Sequence, residues 1–330
     1  MDVFRLTREL IDIPSVTGDE FQIGTSLGEL LMRYGYRVEL QDVADERSNI
    51  IATTGARPRI VLSTHMDTVP PFIASSEDDD FIYGRGSCDA KGIIAAQIAA
   101  AEQLRAQGLN EIGLLFTVDE EVASAGAKIA NDHPLAASCE YLINGEPTDN
   151  QLATGTKGSI QTIIRTEGRA AHSAYPEYGE SAIEKLLDVL NDLRNIEWPD
   201  DGVFGETTCN IGVLSGGVRA NVIPSEAQAT LHIRLAKDSS AVKELLEQSI
   251  DGRAIIDYKS VHDPVRLFTT GGFDQMLARF TTDIPYLSNW GRALLIGPGS
   301  ILDAHTDGEK IRKSDLTKAV ELYVELVKAL

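Results

Sequence analysis

The sequence predicts an α/β protein: a mixed, largely parallel sheet flanked by helices, with a separate α+β unit inserted into it. Three observations carry this prediction. Short apolar runs at 60–63, 112–118 and 141–144 are spaced by helical patterns, the signature of a sheet covered by helices. Each run ends in polar residues, and open α/β sheets bind ligands at the carboxyl ends of their strands. From residue 159 the texture changes to strictly alternating strands, which have one buried and one polar face. The expected division is therefore a discontinuous first domain, 1–158 and 263–330, and an inserted domain, 159–262.

The elements follow in order. Asp2 caps a first helix, and Thr17-Gly18-Asp19-Glu20 turns the chain into a second that runs towards Tyr34. Strands are expected at 37–40, 49–53 and 60–63. Ile94, Ile98, Ala101 and Leu104 recur at helical spacing and predict a helix over 91–107, ahead of the 112–118 and 141–144 strands. In the insert, SIQTIIRT alternates, and Ile183, Leu186, Leu187, Leu190 and Leu193 mark one face of a helix over 180–195. The strand ATLHIRL places Leu231, Ile233 and Leu235 on the side expected to meet helices, with His232 and Arg234 on the other. A further amphipathic helix covers 242–250, and Asp263-Pro264 returns the chain to the first domain. Ser314 is the expected N-cap of a closing helix whose buried stripe is Leu316, Val320, Tyr323 and Val327.

Composition excludes several classes of function. The 330 residues are 43% apolar and 24% charged, typical of a folded globular chain. A formal net charge of -20 opposes binding to nucleic acid or anionic membranes, both of which rely on clustered Lys and Arg. The stretch MDVFRLTREL lacks a basic-then-apolar leader, and a cytoplasmic location is expected. Cys88, Cys139 and Cys209 are odd in number and widely spaced, so buried free thiols are expected and neither a disulfide framework nor a thiolate zinc site.

Ligand-type residues concentrate at strand ends. His65 and Asp67 lie two apart after the 60–63 run, so an extended backbone turns both to the same side; His65 is the candidate metal ligand and Asp67 the carboxylate that orients it. Asp89 arrives just before a helix, within GRGSCDAKG. Glu120 and Glu121 follow the 112–118 run, Glu146 follows 141–144, and His305 lies in the last part of the chain. Imidazoles mixed with carboxylates suit Zn, Mn or Co and poorly suit copper or an iron–sulfur cluster. Adjacent glutamates on an extended turn diverge, so one can bind metal while the other faces the reacting water. His133 and His262 each precede a proline-containing turn and are read as surface turn or hinge residues.

Taken together, STHMDTVP, GRGSCDAKG, FTVDEE, NGEPTD, GRAAHSAYPEYG, SGGVRANVIPSEAQATLHIR and GPGSILDAHTDGE resemble the dinuclear zinc amidohydrolases that include acetylornithine deacetylase, succinyl-diaminopimelate desuccinylase, aminoacylase and glutamate carboxypeptidase. The resemblance covers nearly the whole chain, in the family's order. It implies two divalent metal ions, most often zinc, bridged by Asp89, with His65 and Glu146 completing one site and Glu121 and His305 the other. Glu120 would be the general base and Asp67 the orienting partner. The first domain would be catalytic and metal-binding, and the insert a lid and dimerisation domain. From the insert, His172 would stabilise the oxyanion, and Asn221 and Arg234 would contact the substrate. One departure is His232, two before Arg234, where an acidic residue is common. The function implied is removal of an acyl group from an N-acyl amino acid, with an acetylornithine or acetyl-lysine deacetylase preferred on NGEPT and GPGSI. The alternatives are a carboxypeptidase or dipeptidase on the same metals, and a non-catalytic dimeric binding protein, against which the presence of Glu120 counts. The expected partners are a small N-acyl amino acid or short peptide and a second copy of the chain.

Overall fold

A computed structural model describes residues 1–55 and 57–330. The chain forms two compact units: residues 1–154, 267–276 and 282–330 make the first, and 155–266 with 277–281 make the second.

The first unit is built on a six-stranded sheet. Its order is Arg37–Ala44, Arg47–Thr53, Ile112–Thr117, Ile60–His65, Tyr141–Asn144 and Arg292–Leu295. The last four strands are mutually parallel, and the first two add an antiparallel hairpin at one edge. This is the mixed, helix-flanked sheet that the sequence predicts. Period-two alternation divides its apolar residues between two layers. Ile50, Ala52, Leu62, Leu114, Phe116 and Ile143 join the larger core with the helices, while Ile51, Val61, Leu115 and Leu142 pack on the other face with Trp290.

The helix Lys91–Ala106 is buried well beyond the stripe expected of it, with twelve of its residues enclosed. It packs against Lys313–Ala329 and Val3–Ile11 as well as the sheet, and its alanines allow close approach on several sides. Its amino end therefore sits on a rigid base. Asp2 caps the first helix as expected, accepting from the amides of Phe4 and Arg5.

Two expectations are corrected. Ser314 is not the N-cap of the closing helix: the strand Lys310–Arg312 runs straight into it, so extended Arg312 occupies the cap and Ser314 lies in the first turn. His133 belongs to a turn but is not on the surface. It is 8% exposed, accepts from the Leu135 amide, reaches Glu39 and stacks on Trp290.

The second unit is a four-stranded antiparallel sheet in the order Thr208–Gly216, Glu226–Leu235, Gly158–Glu167 and Ile255–His262. The helices Ala182–Arg194 and Ser239–Ile250 cover one face, burying Leu186, Val189 and Leu246 against Ile160, Ile164, Leu231, Ile233 and Leu235. The Ser181 hydroxyl caps the first of these helices. Thr208–Gly216 is an edge strand with Val213 and Leu214 more than half exposed. Among the described residues, no helix is long and apolar enough to cross a membrane.

Candidate metal centre

Three neighbouring parallel strands deliver their carboxyl ends to one place. Ile60–His65 ends in His65, Ile112–Thr117 leads through Asp119 to Glu120 and Glu121, and Tyr141–Asn144 leads through Gly145 to Glu146. Asp89 comes from the loop just before the buried Lys91–Ala106 helix, and His305 from the turn before Lys310–Arg312. Gly145 is required by packing, since a Cβ there would lie 2.3 Å from Ile93 and 2.7 Å from Gln97.

The two oxygens of Asp89 face two different imidazoles. Oδ1 lies 3.0 Å from His65 Nε2, and Oδ2 lies 3.3 Å from His305 Nε2. On the His65 side, Glu146 Oε2 stands 3.9 Å from the same Nε2. On the His305 side, Glu121 Oε1 stands 3.0 Å from Nε2. One donor atom each from His65, Asp89 and Glu121 fits within 4.8 Å. His65, Asp89, Glu121, Glu146 and His305 are thus brought together as two half-sites about a shared carboxylate.

Asp67 orients more than one group. His65 Nδ1 lies 3.0 Å from the Asp67 backbone carbonyl and 3.4 Å from its Oδ1, so Nδ1 carries the hydrogen and Nε2 is the atom aimed into the centre. The Asp67 carboxylate also accepts the backbone N–H of Glu120 at 3.1 Å, that of Glu121 at 3.2 Å and the Thr17 hydroxyl at 2.9 Å. One buried aspartate therefore fixes the His65 ring and the turn bearing both glutamates. Asp119 at φ 69° and His305 at φ 63° are left-handed non-glycine residues beside the donor groups, a conformation that costs on the order of 1–3 kcal/mol and clusters at functional sites.

The electrostatics fit cations. Burial lowers the affinity of His65 for a proton, but its bonds to Asp67 and Asp89 and the charge of Glu146 outweigh this and hold the imidazolium well above the usual histidine range. Asp89 and Glu121 push His305 up to about 10. Burial, reinforced by Glu146, pushes the Glu120 carboxyl well above the usual range, and burial raises Glu146 likewise. Glu146 Oε1 is buried with no hydrogen-bond partner among the described residues. A surplus of enclosed carboxylate and an orphaned oxygen favour bound cations, and the two imidazoles hold protons only against that negative charge, protons that divalent ions would displace from Nε2. The donors are nitrogen and oxygen only, because the Cys88 thiol faces the Ser300 carbonyl and Glu309.

Two carboxylates escaped the sequence reading. Asp283 is 2% exposed; its Oδ2 accepts the Thr117 hydroxyl at 2.8 Å, its Oδ1 has no partner among the described residues, and burial pushes it up to about 6. No periodicity marks it, and only the fold carries it to the end of the Ile112–Thr117 strand. Glu309 is buried under the Asp89 loop.

In the second unit, the short pair Ala171–His172 and Val222–Ile223 sets His172 beside Asn221, whose carbonyl accepts the Ser173 amide. His172 is exposed, and its Nδ1 accepts from the Ala174 amide, which leaves the hydrogen of the neutral ring on Nε2. Arg234 is half-buried with Nη1 unpartnered among the described residues, and its neighbour His232 has an unpartnered Nε2.

Strand ends that gather two imidazoles and several carboxylates around one shared carboxylate define the donor centre of a metal-dependent hydrolase. The chain belongs to peptidase family M20/M25/M40, whose profile matches residues 61–329. A peptidase M20 domain-containing protein of Schizosaccharomyces pombe is 37% identical over 99% of this chain and 84% of its own length. A probable carboxypeptidase of Aspergillus niger is 37% identical over 98% of this chain and 88% of its own length. In fold, a crystallised tripeptidase of Staphylococcus aureus superposes with a TM-score of 0.84 at 21% identity, over 99% of this chain and 97% of its own.

Proposed function

We propose that this enzyme cleaves the amide bond of small substrates that end in a free carboxylate, as a carboxypeptidase or dipeptidase using two divalent ions. The observation that carries the reading is Asp89, each of whose oxygens faces an imidazole of a different half-site. The name of the Aspergillus niger relative favours a peptidase. A second reading, deacylation of N-acyl amino acids such as acetylornithine or acetyl-lysine, rests on NGEPT and GPGSI and needs the same groups.

Asp89 would bridge the ions, with His65 and Glu146 on one side and Glu121 and His305 on the other. Bound there, divalent ions supply Lewis acidity for the scissile carbonyl and for the attacking water. Glu120 takes the proton from that water on a carboxylate oxygen and returns it to the leaving amine. Asp67 holds the Glu120 turn and the His65 tautomer throughout. The inserted segment, 159–262, acts as lid and dimerisation domain. Its His172 donates Nε2–H to the developing oxyanion, Asn221 contacts the substrate, and Arg234 binds the carboxylate through its planar fork. Zinc is the favoured metal, with cobalt or manganese alternatives, and the location is cytoplasmic.

A panel of dipeptides and N-acetyl amino acids, assayed with added Zn, Co or Mn and again after chelation, tests the reading. Turnover should favour dipeptides with a free terminal carboxylate and vanish on chelation. Preference for N-acetyl amino acids would transfer the assignment to the deacylase reading, and turnover that survives complete metal removal would sink both.

The dimer carries its own test. Thr208–Gly216 is an exposed strand edge, which a second copy would cover, and His172 then acts on the partner's centre. Mixing inactive His172→Ala chains with inactive Glu120→Gln chains should restore activity, because each mixed dimer has one site with both defects and one with neither. No recovery from verified mixed dimers would place His172 in the centre of its own chain.

A further inference from the structure

We infer that Glu309 is a positioning residue that holds Asp89 so that its two oxygens can serve both halves of the metal centre. The inference rests on the two-ion reading above. Its warrant is a clamp of hydrogen bonds none of which involves a donor atom of the centre.

The Glu309 side chain is fully enclosed. Its Oε1 accepts three loop amides, from Gly86 at 2.9 Å, Cys88 at 3.2 Å and Asp89 itself at 3.3 Å, with the Cys88 thiol at 3.6 Å. Its Oε2 accepts Arg85 Nη1 at 2.6 Å. Arg85, 2% exposed, also donates to the Thr306 carbonyl at 3.1 Å and to the Pro71 carbonyl at 3.3 Å, and the Gly84 amide donates to the Glu309 carbonyl at 3.0 Å. Arg85 lies four residues before Asp89, and Glu309 four after His305. One buried ion pair thereby stitches together the loop bearing the shared carboxylate, the turn bearing His305 and the segment that follows His65.

A carboxylate that receives convergent N–H groups and a guanidinium fixes a loop far more closely than apolar packing, because each bond is directional and charge-assisted. The Asp89 amide is one of those donors, so the Asp89 backbone is held directly. Asp89 must present its oxygens to two imidazoles at once, and a small rotation of the loop would favour one half-site over the other. Groups that orient a ligand without touching the metal typically change metal affinity by about 10- to 100-fold.

Metal titration of the apo protein by calorimetry, with Co²⁺ as the probe and its visible spectrum as a geometric signature, decides the matter without an activity assay. Wild type should take two ions. Glu309→Gln keeps the size of the side chain and removes the charge. It should bind the first ion with little change, weaken the second by about 10- to 100-fold and alter the Co²⁺ spectrum. E309Q with both affinities and the spectrum of wild type would overturn the inference. Wild type that binds fewer than two ions would overturn this inference together with the two-ion reading, so the two failures are told apart by the wild-type arm. If E309Q fails to fold by circular dichroism, Arg85→Lys is read in its place. Loss of the forked bonds to Glu309, Thr306 and Pro71 should weaken the second ion in the same direction, and an unchanged second affinity would overturn the proposal.

Discussion

Glu120→Gln should slow turnover by about 10² to 10⁴, the range for loss of a general acid–base group, while metal content and fold stay as in wild type. The amide matches the carboxylate in shape, and the backbone N–H of residue 120 still donates to Asp67, so the turn keeps its place. What is lost is the ability to hold a proton between attack and departure. Glu121→Gln is the informative comparison. Its carboxylate lies 3.0 Å from His305 Nε2, in the half-site opposite His65, so this variant should lose metal along with rate. Elemental analysis beside steady-state kinetics separates the two, and exchange of the phenotypes between these neighbours would refute the division of labour.

Asp89→Asn should have the largest effect of any single substitution, reducing turnover to background and leaving at most one ion per chain. An asparagine has a single carbonyl oxygen, so only one of the two imidazoles can keep its acceptor, and the other faces an amide N–H₂. The change also removes a carboxylate that lies within 3.3 Å of both rings. Metal analysis of the folded variant checks this, and retention of two ions with measurable turnover would show that Asp89 is not shared.

The parallel core strands were legible because burial on both faces gives continuous apolar runs, and the insert because half-buried strands alternate. The neighbourhood of His65, Asp89, Glu121 and Glu146 was legible because each sits at a strand end or a helix start, which places it without knowledge of distant contacts, whereas His305, in a turn, is marked only by the family resemblance. Residues whose position depends on contacts across the chain were not. Asp283 reaches Thr117 over a separation of 166 residues with nothing near it to mark it, and Glu309 closes the GPGSILDAHTDGE stretch but reaches Gly86 over 223, a contact that no local pattern reports. Ser314 was misplaced because a good capping side chain predicts a helix start only where the preceding chain is a loop; here a strand supplies the extended residue at Arg312. His133 looked like a surface turn because a turn signature does not report that Glu39 and Trp290 close over it.

The first unit is assembled from segments on both sides of the insert, and this has a consequence for how the protein is made. When Glu146 leaves the ribosome, His65, Asp89, Glu120 and Glu121 have already been synthesised, but His305, the strand Arg292–Leu295 and the helix Lys313–Ala329 have not. At about 5–20 residues per second, the wait for His305 is on the order of ten seconds. Throughout it the sheet has an open edge at Tyr141–Asn144 and the Lys91–Ala106 helix lacks one of its packing partners. The second unit draws nearly all of its core from 155–266 and can fold within that interval. The donor set is therefore only partly made while the insert is being completed. On the two-ion reading, the full donor set can form only after His305 has been made and the late strand and helix have docked.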